Sequence, residues 1–223
     1  MIEAFNGIPQ SFGQQRQNIE LAFHDIAGEA FRSGRSIREH APFVTSAQDL
    51  VFLFDPTTPN FSALSAAKLV DDVHNAAGVG ERKNLIIALT KVDVMRDRDE
   101  WWAELAETWP DTPPWPSDLL AYLRQMDNLS DKLYGWWMAP EQQAHGFINR
   151  LPPTTHYCAL SSLGHQPVWD CPHCKATEQP NTLQQCGECN RNQANANLRL
   201  TRKPEPFRVR DPLFWIFRAA GVM

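Results

Sequence analysis

No Gly-Lys dipeptide occurs anywhere in the 223 residues, so the sequence holds no Gly-x-x-x-x-Gly-Lys-[Ser/Thr] loop to cradle phosphate in its backbone amides. Nor does any apolar run approach the roughly 18 residues that a membrane-spanning helix needs. The stretch 1–16 is polar and glycine-dotted, unlike a secretory leader, and a cytoplasmic protein is expected. Charge is weak as well. A net charge of −5 and a pI near 5.8 exclude broad electrostatic attraction to nucleic acid or anionic membrane, while leaving room for a local basic patch. Cysteine is scarce: of five, four fall into two Cys-x-x-Cys pairs, which in a reducing compartment read as metal ligands before disulfides. There is no internal repeat and no low-complexity tract.

What is present suits a globular α/β protein. At 43% hydrophobic residues, a chain of this length buries a proper core as one domain, or as one domain with an inserted module. Residues 18–25, 50–54, 85–89 and, more weakly, 157–160 read as strands, the middle two as short continuous apolar runs of the kind buried in parallel sheets. Between them, residues 62–77 and 117–138 carry apolar side chains at helical spacing. Strands alternating with helices predict a parallel sheet covered on both faces. A long, Pro-punctuated helical region, 96–153, holds Trp101, Trp102, Trp109, Trp115, Trp136 and Trp137. Most of these are expected in the core, with a partly exposed subset able to anchor a protein partner. Asp211-Pro212 opens a last helix, the proline suiting a first helical turn.

Polar residues that close the strands carry the chemistry. Thr90-Lys91-Val92-Asp93 follows a buried strand. An aspartate has two acceptor oxygens at the spacing of the guanine N1 hydrogen and 2-amino group, a donor pair that adenine lacks, and a lysine two residues earlier can lay its alkyl stem along the base. Asp25-Ile26-Ala27-Gly28 follows the first strand. There an aspartate can reach a magnesium-bound water, and a glycine amide can approach a terminal phosphate. Cys158-Ala159-Leu160 closes the last strand, where the small Ala159 leaves a backbone amide open to the guanine oxygen and Cys158 is a core residue. Each fragment alone is compatible with an ordinary strand-end turn; their order and common placement give them weight.

With these residues in that order, the chain resembles the TRAFAC-class, Ras-like GTPases, whose third, fourth and fifth motifs they match. More narrowly, Gly28-Glu29, Phe54-Asp55-Pro56, a late cysteine pair and the closing run from Asp211 to Trp215 resemble bacterial double-GTPase domains of multicomponent systems proposed for conflict or defence. The resemblance implies a three-layer, mostly parallel sheet of P-loop GTPase type, here without its first strand and phosphate loop. It also implies guanine nucleotide with magnesium as ligand, with Asp25, Gly28 and Glu29 at the phosphate and Thr90, Lys91, Asp93, Cys158, Ala159 and Leu160 at the base. Two departures stand out: Glu29 occupies the place where many members have glutamine, and the first two motifs are missing. The stretch from Gly28 to Ser36 imitates a phosphate loop, but has one residue too many and arginine for lysine. A start upstream of Met1, a fragment, or a strand supplied by a partner would each explain the missing part. In each case the 223 residues are expected to bind nucleotide poorly and to turn over no GTP.

Cys171-Pro172-His173-Cys174, eleven residues, then Cys186-Gly187-Glu188-Cys189 has the two-knuckle spacing of a zinc ribbon. Four thiolates close a tetrahedral site, so the expected zinc is structural and residues 170–190 fold around it, with His173 outside the ligand set. The expected organisation is a partial GTPase-like domain over 1–169, this ribbon, then a solvated basic connector and terminal helix over 191–223. The connector includes Arg191, Arg199, Arg202, Lys203, Arg208 and Arg210, yet the acidic balance of the whole chain disfavours nucleic acid as partner. Two functions follow. One is a guanine-nucleotide switch; the other is a non-catalytic GTPase-fold scaffold that holds protein partners through its ribbon and Trp-rich helices.

Overall fold

The computed structural model describes residues 36–37, 39, 41–76, 84–96, 100–107, 118–164, 167–180, 185–192, 197–201, 203–204 and 206–221. The strand expected over 18–25, together with Asp25, Gly28 and Glu29, lies outside them. A short helix α1 (Phe43–Ser46) leads into β1 (Asp49–Phe54), α2 (Ala63–Ala76) and β2 (Asn84–Leu89). The chain continues through α3 (Val92–Arg96), α4 (Glu100–Glu107), the long α5 (Leu119–Met138), α6 (His145–Ile148) and β3 (Thr155–Ala159). After a small second sheet, α7 (Asp211–Ala219) closes it.

The main sheet is parallel, in the order β1-β2-β3. Parallel strands are buried because their crossover helices lie on the faces, and β2 reads accordingly: from Leu85 to Leu89 every side chain is buried. Alternate side chains separate two cores. Leu50, Phe52 and Phe54 of β1, Leu85, Ile87 and Leu89 of β2, and Tyr157 and Ala159 of β3 meet α2, α4, α5 and α6 on one face. On the other, Ile86, Ala88 and Cys158 pack under Phe214, Trp215 and Ile216 of α7, joined by Tyr122 and Met126 of α5. The expected cover on both faces therefore holds at β2 and β3. At β1 it fails among the described residues, since Val51 and Leu53 point to the α7 side, beyond that helix, and are 40% and 64% exposed.

The helical region is anchored by its tryptophans. Trp102 and Trp137 are fully buried, and Trp101, Trp102, Trp136 and Trp137 form a chain of ring contacts with centroids 4.8–6.4 Å apart. Asp118 caps α5 by accepting the Ala121 N–H at 3.0 Å. Arg208 corrects the expectation of a solvated connector. It enters the core and pairs with Asp211 at 2.9 Å, each side chain 2% exposed, while Tyr122 donates its hydroxyl to the same carboxylate at 2.6 Å. The cause is local: Asp211 is carried inward at the first turn of α7, and a buried carboxylate demands a cation.

Candidate functional site

The register places Phe54 beside Leu89 and Leu89 beside Ala159, so all three strands end in one row. The residues just beyond, Asp55, Thr90 and Leu160, leave the sheet side by side. Backbone bonds knit them together: the Thr90 N–H donates to the Phe54 carbonyl at 2.8 Å, the Leu160 N–H to that of Leu89 at 2.8 Å, and the Val92 N–H to that of Leu160 at 3.4 Å. The crevice beyond the carboxyl ends of parallel strands is where open α/β sheets bind ligands.

Asp55 closes β1 in an Asx turn, its Oδ1 accepting the Thr57 N–H at 2.9 Å and the Thr57 hydroxyl at 2.6 Å. Its Oδ2 takes the Lys91 ammonium at 2.5 Å. Partial burial opposes the charge, but the Lys91 and Thr57 contacts prevail and hold the Asp55 carboxyl below the usual carboxylate range. Lys91 has a left-handed backbone with φ of 55°, a conformation that costs a residue with a Cβ about 1–2 kcal/mol. That turn starts α3, with the Val94 N–H donating to the Lys91 carbonyl at 3.0 Å, and it carries Asp93 to the edge of the core.

Asp93 is 6% exposed, and among the described residues no donor reaches its carboxylate. Its oxygens are not among the buried polar atoms left without a partner, so they stay open to solvent at the edge and can accept from a ligand that brings its own donors. On the neighbouring strand end, Ala159 is fully buried and presents no side chain to the edge. Ser161, 2% exposed, exchanges two backbone bonds with Phe207 at 3.0 and 2.7 Å, and its hydroxyl accepts the Gly164 N–H at 2.9 Å. Cys158 points away from this edge into the α7 core, and burial pushes its thiol well up. Any role it has at the edge belongs to its backbone.

The sheet thus brings Thr90, Lys91, Asp93, Ala159 and Leu160 to one edge and turns Cys158 inward. Asp55 enters the sequence reading only through the Phe54-Asp55-Pro56 resemblance, and Thr57 not at all. Their signal is the Asp-Pro-Thr pattern after an apolar run, which marks a side-chain-capped turn without saying that its free oxygen meets Lys91. Two shallow hollows lie elsewhere, in the helical layer: about 300 Å³ beside Tyr134 and Pro152, and about 440 Å³ between Trp101 and Trp136. Neither is lined by Asp55, Thr90, Lys91, Asp93 or Leu160.

The cysteines form a second candidate centre. β4 (Val168–Trp169) pairs antiparallel with β5 (Gln179–Pro180) and with β6 (Leu198–Arg199), so the small sheet draws on residues to either side of 170–190. All four thiol sulfurs of Cys171, Cys174, Cys186 and Cys189 lie within 4.8 Å of one another and could hold a metal ion such as zinc. The pairs Cys171–Cys189 and Cys174–Cys186 are 3.6 Å apart, against the roughly 3.8 Å that tetrahedral ligation with a 2.3 Å zinc–sulfur bond requires.

The two knuckles repeat one geometry. The N–H three residues after the first and third cysteines comes from Cys174 and Cys189 themselves, and the next residue, Lys175 or Asn190, turns left-handed and donates to the carbonyl of Cys171 or Cys186 at 3.1 or 2.8 Å. The Cys174 N–H, opposed by burial and helped by that of His173, brings the Cys171 thiol down to about 6. At Cys174 the Ala176 N–H pulls the same way, but burial and the sulfurs of Cys186, Cys171 and Cys189 push that thiol up to about 12. Ionised together, four thiolates this close would need a cation such as zinc. His173 turns to Arg191, 3.2 Å from its Nδ1. Arg199 pairs with Asp170 at 3.0 Å, so much of the basic stretch is engaged within the protein.

Comparison with protein-family models, curated proteins and solved structures finds no match for this chain. No helix among the described residues is long and apolar enough to cross a membrane.

Proposed function

We propose that the chain is a GTPase-like guanine-nucleotide-binding domain, with the base held at the carboxyl edge of β1, β2 and β3. The observation that carries this reading is Asp93, a residue 6% exposed whose carboxylate oxygens stay open at that edge and take no donor among the described residues. Guanine supplies two adjacent donors that match its two oxygens, whereas adenine supplies none in that arrangement. Beside it, the Leu160 carbonyl accepts the Val92 N–H and the N–H groups of Leu160 and Ser161 are taken by Leu89 and Phe207, so in this reading the amide for the guanine oxygen comes from Ala159 or from beyond Ser161, while the stem of Lys91 flanks the site. In the same reading Asp25, Gly28 and Glu29 act at magnesium and the terminal phosphate, and the P-loop GTPase fold is the parent architecture. The cysteine centre has no open coordination position, so zinc there would hold the small sheet and take no part in nucleotide chemistry.

Equilibrium competition among GDP, ADP and xanthosine diphosphate tests this. Wild type should prefer GDP over ADP. Asp93→Asn should lose GDP affinity by about tenfold or more, as for a lost charge-assisted pair of hydrogen bonds, and turn toward the xanthine nucleotide, whose carbonyl replaces the 2-amino donor. Equal binding of ADP and GDP by wild type would remove the guanine reading and leave the scaffold reading, to which the exposed Val51 and Leu53 then contribute an interaction surface.

A further inference from the structure

We propose that Asp55 is the positioning residue of the base site: clamped by Thr57, it holds Lys91 at the sheet edge and so fixes the loop that carries Asp93. This inference rests on the guanine-nucleotide reading above and adds to it a residue that touches neither base nor phosphate.

The Lys91 side chain is 61% exposed. A lysine this open ordinarily samples many rotamers, and ordering it costs up to about 2 kcal/mol of side-chain entropy. An isolated exposed ion pair seldom repays that. Here the carboxylate is prepared in advance. The Thr57 N–H and hydroxyl both occupy Asp55 Oδ1, at 2.9 and 2.6 Å, which fixes the carboxylate plane and leaves Oδ2 for the ammonium. Asp55 is also only 24% exposed, so water screens the pair less than a fully open one.

The pair has two consequences for the edge. It ties the end of β1 to the end of β2 beyond the last ladder bond, at the residue whose backbone is left-handed, and thereby stabilises the turn from which α3 and Asp93 follow. It also neutralises Lys91. A lysine whose charge is already met by Asp55 serves the base through its alkyl stem and is a poor phosphate ligand, which assigns the two strand ends to the base half of a nucleotide site.

Titration of the 1–223 protein with methylanthraniloyl-GDP in magnesium buffer tests the role. Wild type, Asp55→Asn, Lys91→Met, Lys91→Arg and the Asp55→Asn/Lys91→Met double variant are compared. Asp55→Asn keeps a side-chain oxygen for Thr57 but loses the charge, and Kd should rise about three- to fivefold, the upper range for a pair of this exposure. Lys91→Met should match it, the double variant should be no weaker than either single one, and Lys91→Arg, which can still reach the carboxylate, should stay near wild type. The preference for GDP over the xanthine nucleotide should persist in Asp55→Asn, because Asp93 sets it. Should Asp55→Asn fail to fold, the contrast between Lys91→Arg and Lys91→Met decides alone. A guanine-selective wild type whose affinity is unmoved in Asp55→Asn, two single effects that multiply in the double variant, or Lys91→Arg as weak as Lys91→Met would overturn the role of Asp55. A wild type without guanine preference would overturn the base-site reading, and this role with it.

Discussion

Arg208 and Asp211 show what one buried charge demands of its neighbours. Each side chain is 2% exposed, and the carboxylate is held by the guanidinium and by the Tyr122 hydroxyl, with Arg208 also lying over the Tyr122 ring at 5.1 Å. Burial raises the Asp211 carboxyl in spite of these partners. Removing the cation would strand that group, so Arg208→Met should cost about 3–5 kcal/mol in denaturant unfolding, whereas Arg199→Met, whose pair with Asp170 is open to solvent, should cost under about 1 kcal/mol. In the sequence these two arginines look alike, both set in a basic stretch. What separates them is Asp211 three residues on, and only the packing of α7 against α5 shows that its carboxylate faces inward.

At the scale of elements, the cysteine module is the part whose existence is plainest in the sequence and whose detail is least so. Two Cys-x-x-Cys pairs eleven residues apart suffice to expect a closed four-sulfur centre. The left-handed turns at Lys175 and Asn190 are not legible, because neither residue is glycine and their conformation is imposed by the knuckle bonds to Cys171 and Cys186. Since ligation supplies the folding energy of such a module, Cys174→Ser should abolish one bound zinc per chain in elemental analysis. Amide exchange over the small sheet should rise to near the unfolded rate while β2 stays protected; a metal-free module with slow exchange would show that the sulfurs pack without an ion. The parallel strands are easier to read: continuous apolar runs announce β1 and β2, and the start of β3 lies two residues earlier than expected because Thr155 and His156 look polar yet pair with Leu85 and Ile86.

Across the molecule, the sheet turns three separated strand ends into one edge, and that convergence is what motif order can suggest but not demonstrate. The placement of Thr90, Lys91 and Asp93 beside Leu160 follows from a parallel register, which a sequence of alternating strands and helices already favours. The Asp55–Lys91 pair and the Ser161–Phe207 bridge span 36 and 46 residues, distances at which local pattern carries no information. Uneven cover is likewise a property of the assembled layers: α7 shields β2 and β3 and stops short of Val51 and Leu53. We propose that guanine nucleotide binds at this shared edge. The most direct test is backbone amide shift mapping of the isotope-labelled chain titrated with GDP. Perturbations are expected at Asp55, Thr90 to Asp93, Leu160 and Ser161, with the cysteine module and the Trp101–Trp136 hollow unmoved; shifts confined to those two regions, or none at saturating GDP, would rule out a guanine site at the edge.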